Sequence, residues 1–210
     1  MTTTTPTTQT TPTFFPPNNL LLPPTALTPP TLINPLTSIP RTYPPPSSPP
    51  LPLTDHCLSQ THAVFYTASK GTLSILSFQR GTYTPLTLPP FKDLCLTSSN
   101  VVILTSSSRL EVRALSSPSS PSRQVKVHPS LTRVLPLGLS GERAMCLDAH
   151  GTGRPYDLVT GRKGDASAGV IDVTPDGDVV TEDEKGVRIG DKSWGCDAGR
   201  LEETGQGGKP

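Results

Sequence analysis

Between Leu58 and Asp191 the hydrophobic and polar positions follow one order four times. A polar turn leads into an apolar run. A second turn follows, in most copies with glycine, and an alternating segment closes the unit. In the first copy the run is Ala63-Val-Phe-Tyr66, the turn is Lys70-Gly71-Thr72, and the alternating segment is Leu73-Ser-Ile-Leu-Ser77. The second copy, Leu96 to Arg113, has Val101-Val-Ile-Leu104 and places Ser107-Ser108 where the others have glycine. The third, Leu139 to Asp157, has Ala144-Met-Cys-Leu147 and turns at His150-Gly-Thr-Gly153. The fourth, Val173 to Asp191, has Val179-Val180 and turns at Lys185-Gly186. Short apolar runs and period-two alternation, bounded by turn residues, predict strands joined as hairpins.

The copies start 38, 43 and 34 residues apart. A hairpin unit repeating at about 40 residues predicts an all-β fold, a β-propeller-like array of about four antiparallel blades. Aromatic residues make up 5% of the 210 residues, so Val, Leu, Ile and Ala must build the core. Proline is concentrated: 16 of the 26 lie before residue 54. Residues 1–54 hold no acidic residue and one basic one, Arg41. Frequent proline removes backbone donors and fixes φ, which predicts a disordered Thr/Pro-rich tail with polyproline II character. The expected organisation is therefore a tail over 1–54, blades over 55–201 and a flexible C-terminal tail over 202–210.

The third copy resembles the closing half of a WD repeat. His150-Gly-Thr-Gly153 matches that family's turn between the second and third strands of a blade. Tyr156-Asp157 stands for its Trp-Asp, and Leu158-Val-Thr-Gly-Arg162 follows as it often does in the family. Ile171-Asp-Val-Thr-Pro-Asp-Gly177 resembles its first strand and the turn out of it, and Lys185-Gly-Val-Arg-Ile-Gly-Asp191 its second turn and third strand. The sequence departs from the family at Val127-His128, which lacks the Gly of Gly-His. It departs again at Trp194, which follows a strand, and at Pro155, which puts the pairing of its strand in question. The resemblance implies a propeller, which in this family usually closes with seven blades. Four copies leave three readings open: a small ring, a truncated product without autonomous function, or a ring completed by another chain.

Charge and chemistry narrow the function. Net charge is +1, so a broad nucleic-acid or membrane-surface footprint is not expected. The balance is uneven, +4 over residues 55–130 and −4 over 131–210. None of Cys57, Cys95, Cys146 and Cys196 forms a C-x-x-C pair, and Cys95 and Cys146 sit inside apolar runs. Buried, reduced thiols and a cytoplasmic or nuclear location are expected. No nucleophile elbow, zincin helix or phosphate loop is present. The expectation is no catalytic residue, no metal and no cofactor.

Two features of the tail are candidate protein-binding elements. Phe14, Phe15, Leu20, Leu21 and Leu22 cluster apolar side chains, and Pro46 and Pro49 form a P-x-x-P ligand. The expected function is a non-catalytic protein–protein interaction scaffold or a subunit of a larger complex, with other proteins as partners. The alternative is a propeller enzyme with its site at the central channel. His128, Asp148, His150 and Asp157 separate the two: convergence at one mouth favours the enzyme, dispersal among turns the scaffold.

Overall fold

The apolar runs form inner strands of antiparallel sheets. The computed structural model describes residues 13–15, 19–22, 29–34, 39–45, 54–121, 123–138, 140–174, 176–184, 186–197 and 200–203; for 13–22, 34 and 193–203 it describes the backbone alone. Among the described residues every regular element is a strand, apart from one 3-10 turn at Ala68–Lys70. In each sheet, strands adjacent in sequence are adjacent in space. The chain divides into two compact units, one of residues 1–67 and 72–87, the other of 68–71 and 88–210.

The first unit holds two sheets. One is β1 (Thr13–Phe15), β2 (Asn19–Leu22), β3 (Thr31–Asn34) and β4 (Ile39–Thr42). The other is β5 (Asp55–Leu58), β6 (His62–Thr67), β7 (Thr72–Ser77) and β8 (Thr82–Thr87). The second sheet is the first sequence copy. The other sheet falls inside residues 1–54. Its strands are three or four residues long. Pro30 lies just before β3, and its carbonyl accepts the Tyr43 N–H at 3.0 Å. Tyr43, 2% exposed, joins Ala63, Phe65, Leu76 and Phe78 in one core cluster. Its ring lies 5.6 Å from that of Phe78, and the Tyr83 hydroxyl donates to the Tyr43 carbonyl at 2.7 Å.

The second unit holds three sheets. They are β9 (Phe91–Leu96), β10 (Asn100–Thr105), β11 (Arg109–Ala114) and β12 (Arg123–Lys126); β13 (Leu131–Pro136), β14 (Arg143–Asp148) and β15 (Gly153–Asp157); and β16 (Val170–Val173), β17 (Val179–Asp183), β18 (Gly186–Ile189), β19 (Lys192–Asp197) and β20 (Arg200–Glu203). β14 shows why the inner runs do not alternate. Ala144 and Cys146 enter a cluster with Val102, Leu104, Val112 and Val125 of the preceding sheet. Met145 and Leu147 enter a cluster with Val170 of the following sheet. Successive side chains point to opposite faces, and here both faces are covered.

Polar side chains stitch the β9–β12 and β13–β15 sheets together. Lys92 Nζ donates to the carbonyls of Pro129 and Leu131 at 2.7 and 2.8 Å. The Asp93 carboxylate accepts the Val134 N–H at 2.8 Å. Arg123 donates to the Leu158 carbonyl at 2.8 Å.

Several turns share one construction: a hydroxyl or carboxylate at the end of the first strand accepts an N–H from across the turn. Ser59 Oγ takes the His62 N–H and Thr97 Oγ1 the Asn100 N–H, each at 3.1 Å. Thr105 Oγ1 takes the Arg109 N–H at 3.1 Å. In that last turn Ser108 has φ 59°, the left-handed conformation that Gly151 adopts at the matching point of the third copy with φ 75°. The missing glycine of the second copy is thus a serine forced into glycine's conformation.

Prolines within described strands occupy the outermost strands: Pro40 in β4, Pro85 in β8, Pro136 in β13 and Pro155 in β15. Pro155 settles the pairing question raised by the sequence. The N–H groups of Gly153 and Asp157 point away from β14, to the carbonyls of Ser167 and Arg162, and position 155 shares their side. The absent donor therefore faces the outer edge, and the β14 ladder stays intact. Along that edge the chain makes isolated bridges at Lys163 and Ser167 in place of a fourth strand.

Two substitutions test this description in urea unfolding. Tyr43→Ala should cost about 3 kcal/mol, as loss of a packed aromatic does; an unchanged midpoint would show that Tyr43 is not part of the core. Ser108→Gly should gain about 1 kcal/mol by relieving the left-handed serine, and a loss of stability would contradict that conformation.

Candidate partner-binding cleft

The sequence candidates for chemistry sit at turns, and the turns use them. β14 ends at Asp148, whose Oδ1 accepts the N–H groups of His150 and Thr152, each at 2.9 Å. β15 ends at Asp157, whose Oδ1 accepts those of Val159 and Thr160 at 2.8 and 2.7 Å. Glycine with positive φ completes each turn, Gly151 in the first and Gly161 in the second. These backbone hydrogen bonds hold both carboxyls below the usual aspartate range. Each is thus a turn acceptor in its ionised form. His128 is exposed and its Nδ1 lies 2.7 Å from Ser130 Oγ. His128 and Asp148 border a common cleft, whereas His150 and Asp157 are not part of its lining.

That cleft, about 700 Å³, lies within the second unit. The connection from β12 to β13 forms one wall and β15 with residues 161–163 the other. Its floor is apolar, made by the buried side chains of Val127, Leu131 and Tyr156. Tyr156 belongs to the core cluster between the two sheets; burial raises its pKa, and a hydrogen bond with the His128 backbone partly offsets this. Arg154 and Tyr156 share a face of β15, two residues apart. Around the floor stand four cations: Lys126, Arg154, Arg162 and Lys163. The one ion pair between described residues is Arg113–Glu111 at 3.0 Å, so none of the four has a described carboxylate within ion-pair distance. Asp148 is the one acidic residue of the lining, and its Oδ1 is engaged by its own turn.

Sequence reasoning did not assemble these cations. Lys126 precedes one copy and Arg162-Lys163 follows its last strand; the stacking of sheets brings them together. Among the sequence-predicted binding residues, Phe14 and Phe15 lie on β1 and Leu20, Leu21 and Leu22 on β2, with Phe14 paired to Leu20 and Thr13 to Leu21. Pro46 and Pro49 lie outside the described residues. Cys95 and Cys146 are buried core residues, as expected. Burial pushes the Cys146 thiol up to about 12, with the nearby Asp93 carboxylate adding to the effect. No group of three or more candidate metal ligands occurs among the described residues.

No protein-family model matches the chain, and no curated protein matches it. Solved structures do. Kluyveromyces lactis Hsv2, with loop 6CD replaced by a Gly-Ser linker, gives a TM-score of 0.57 at 13% identity, over 82% of this chain and 60% of that one. Kluyveromyces marxianus Hsv2 gives 0.55 at 10% identity, over 82% and 59%. Apo AztD from Citrobacter koseri gives 0.53 at 12% identity, over 71% and 44%. The fold is propeller-like. At such identities the likeness concerns fold alone, and this chain spans three fifths or less of the length of these three neighbours.

The turn carboxylates give a pH prediction. A carboxyl whose pKa is lower folded than unfolded stabilises the fold above its unfolded value and loses that contribution as pH falls through the folded value. Stability should therefore decline as pH drops below the ordinary aspartate value of 3.8. In Asp148→Asn/Asp157→Asn the decline should be shallower. Urea midpoints measured against pH check this; parallel profiles for the two proteins would refute it.

Proposed function

We propose that this chain is a non-catalytic interaction scaffold or a subunit of a larger complex, built on WD-like propeller blades. The observation that carries the reading is the use of Asp148 and Asp157 by their own turns. A general acid or base must exchange a proton with substrate, and carboxylates held ionised by two backbone N–H groups are poor proton donors. Asp148 and His150 share the β14–β15 turn, while Asp157 lies in the turn after β15 and His128 in the β12–β13 connection, so the four do not converge at one point, as expected of a frame that presents loops. The partners are other proteins. The segment with Phe14, Phe15, Leu20, Leu21 and Leu22 and the Pro46/Pro49 motif supply a second contact that adds avidity. In this reading a further chain completes the propeller. A cytoplasmic or nuclear location fits the buried thiol of Cys146.

The test is light scattering after gentle size-exclusion chromatography of the full-length chain from its native extract. It should elute as part of a larger assembly. Pro46→Ala/Pro49→Ala should weaken that association without altering the circular dichroism spectrum. Elution as a free monomer, or turnover of substrate abolished by His128→Ala, would overturn the proposal.

A further inference from the structure

We infer that the cleft between the β12–β13 connection and β15 is a docking groove for an acidic segment of a partner protein. The inference rests on the scaffold reading above and names the chemistry of its partner. Lys126, Arg154, Arg162 and Lys163 surround one concavity, and no described carboxylate is within ion-pair distance of any of them. Like charges gathered around a low-dielectric wall raise the local potential and attract the opposite charge. The whole chain carries a net charge of +1, so this potential is a property of the groove and not of the entire surface.

The shape selects among anions. The floor of Val127, Leu131 and Tyr156 is apolar and recessed, with the cations above it. An extended peptide meets both parts: successive side chains project to opposite sides, so carboxylates reach the cations while an intervening apolar residue covers the floor. A bilayer is planar on this scale and cannot follow a recess. Single-stranded nucleic acid binds through bases stacked on accessible rings, and Tyr156, the aromatic residue of the lining, is 3% exposed and packed in the core. The rim residues Lys126, Arg162 and Lys163 are exposed and available to a ligand.

Fluorescence anisotropy on the full-length chain tests this. The probe is a short fluorescein-labelled peptide of Asp and Glu interspersed with Leu. Saturable binding is expected, weakening as salt rises. Arg162→Gln/Lys163→Gln should weaken it about tenfold or more, with an unchanged circular dichroism spectrum, while the distant Arg80→Gln should bind like the parent. Equal binding by parent and double variant would overturn the inference. So would equal binding of the matched Asn/Gln peptide, or tighter binding of anionic lipid vesicles or single-stranded DNA than of the acidic peptide. Failure here differs from failure of the scaffold reading. If the full chain still elutes in a large assembly that survives Arg162→Gln/Lys163→Gln, the scaffold stands and the groove is not its acidic-peptide site.

Discussion

Burial of both faces of the inner strands is the constraint on which the rest depends. In β14, Ala144 and Cys146 go to one neighbouring sheet and Met145 and Leu147 to the other. Fully burying one such aliphatic side chain is worth about 1.5–3 kcal/mol, and a single hairpin cannot cover both faces alone. The modules must therefore stack. Polar bonds across the interface then fix the alignment. The Asp93 carboxylate on the Val134 N–H and Lys92 on two carbonyls of the β12–β13 connection satisfy groups that stacking withdraws from water.

Stacking demands sharp, reproducible turns, and the chain builds them with side-chain oxygens. Ser59, Thr97, Thr105, Asp148 and Asp157 perform the same task in different copies. Two of these oxygens, on Asp148 and Asp157, belong to ionisable side chains. A carboxylate that holds a turn is fixed by two N–H groups and stays ionised. The positive-φ position tolerates Ser108 in one copy at an energetic cost, because the flanking ladder between β10 and β11 determines the turn's shape.

The groove follows from the same stacking together with one local irregularity. Pro155 gives β15 an outer edge with a missing donor, and the chain beyond Arg162 bridges to it at isolated points without forming a strand. The sheet of β13–β15 has three strands where its neighbours have four and five. Residues 161–163 and Arg154 stand beside the resulting recess, with the β12–β13 connection opposite. A departure from regular blade geometry and a concentration of cations with no ion-pair partner among the described residues thus coincide.

Much of the fold was legible along the chain. Unbroken apolar runs marked the strands covered on both faces, β6, β10 and β14, and glycine marked turns, whereas the alternating segment of the first copy became β7, which is also covered on both faces. These are local properties, set by side-chain polarity and backbone conformation, so sequence alone could determine them. The place of Tyr43 was not legible: its burial against Phe78 is a long-range contact that no local pattern carries. Nor was the groove. Lys126, Arg154, Arg162 and Lys163 are ordinary surface cations when read one at a time, and their meeting around an apolar floor depends on how one sheet lies against the next. Sequence determined the strands, the turns and the repeat; tertiary structure decided which charges face each other, because electrostatic potential depends on distance in space and not on separation along the chain.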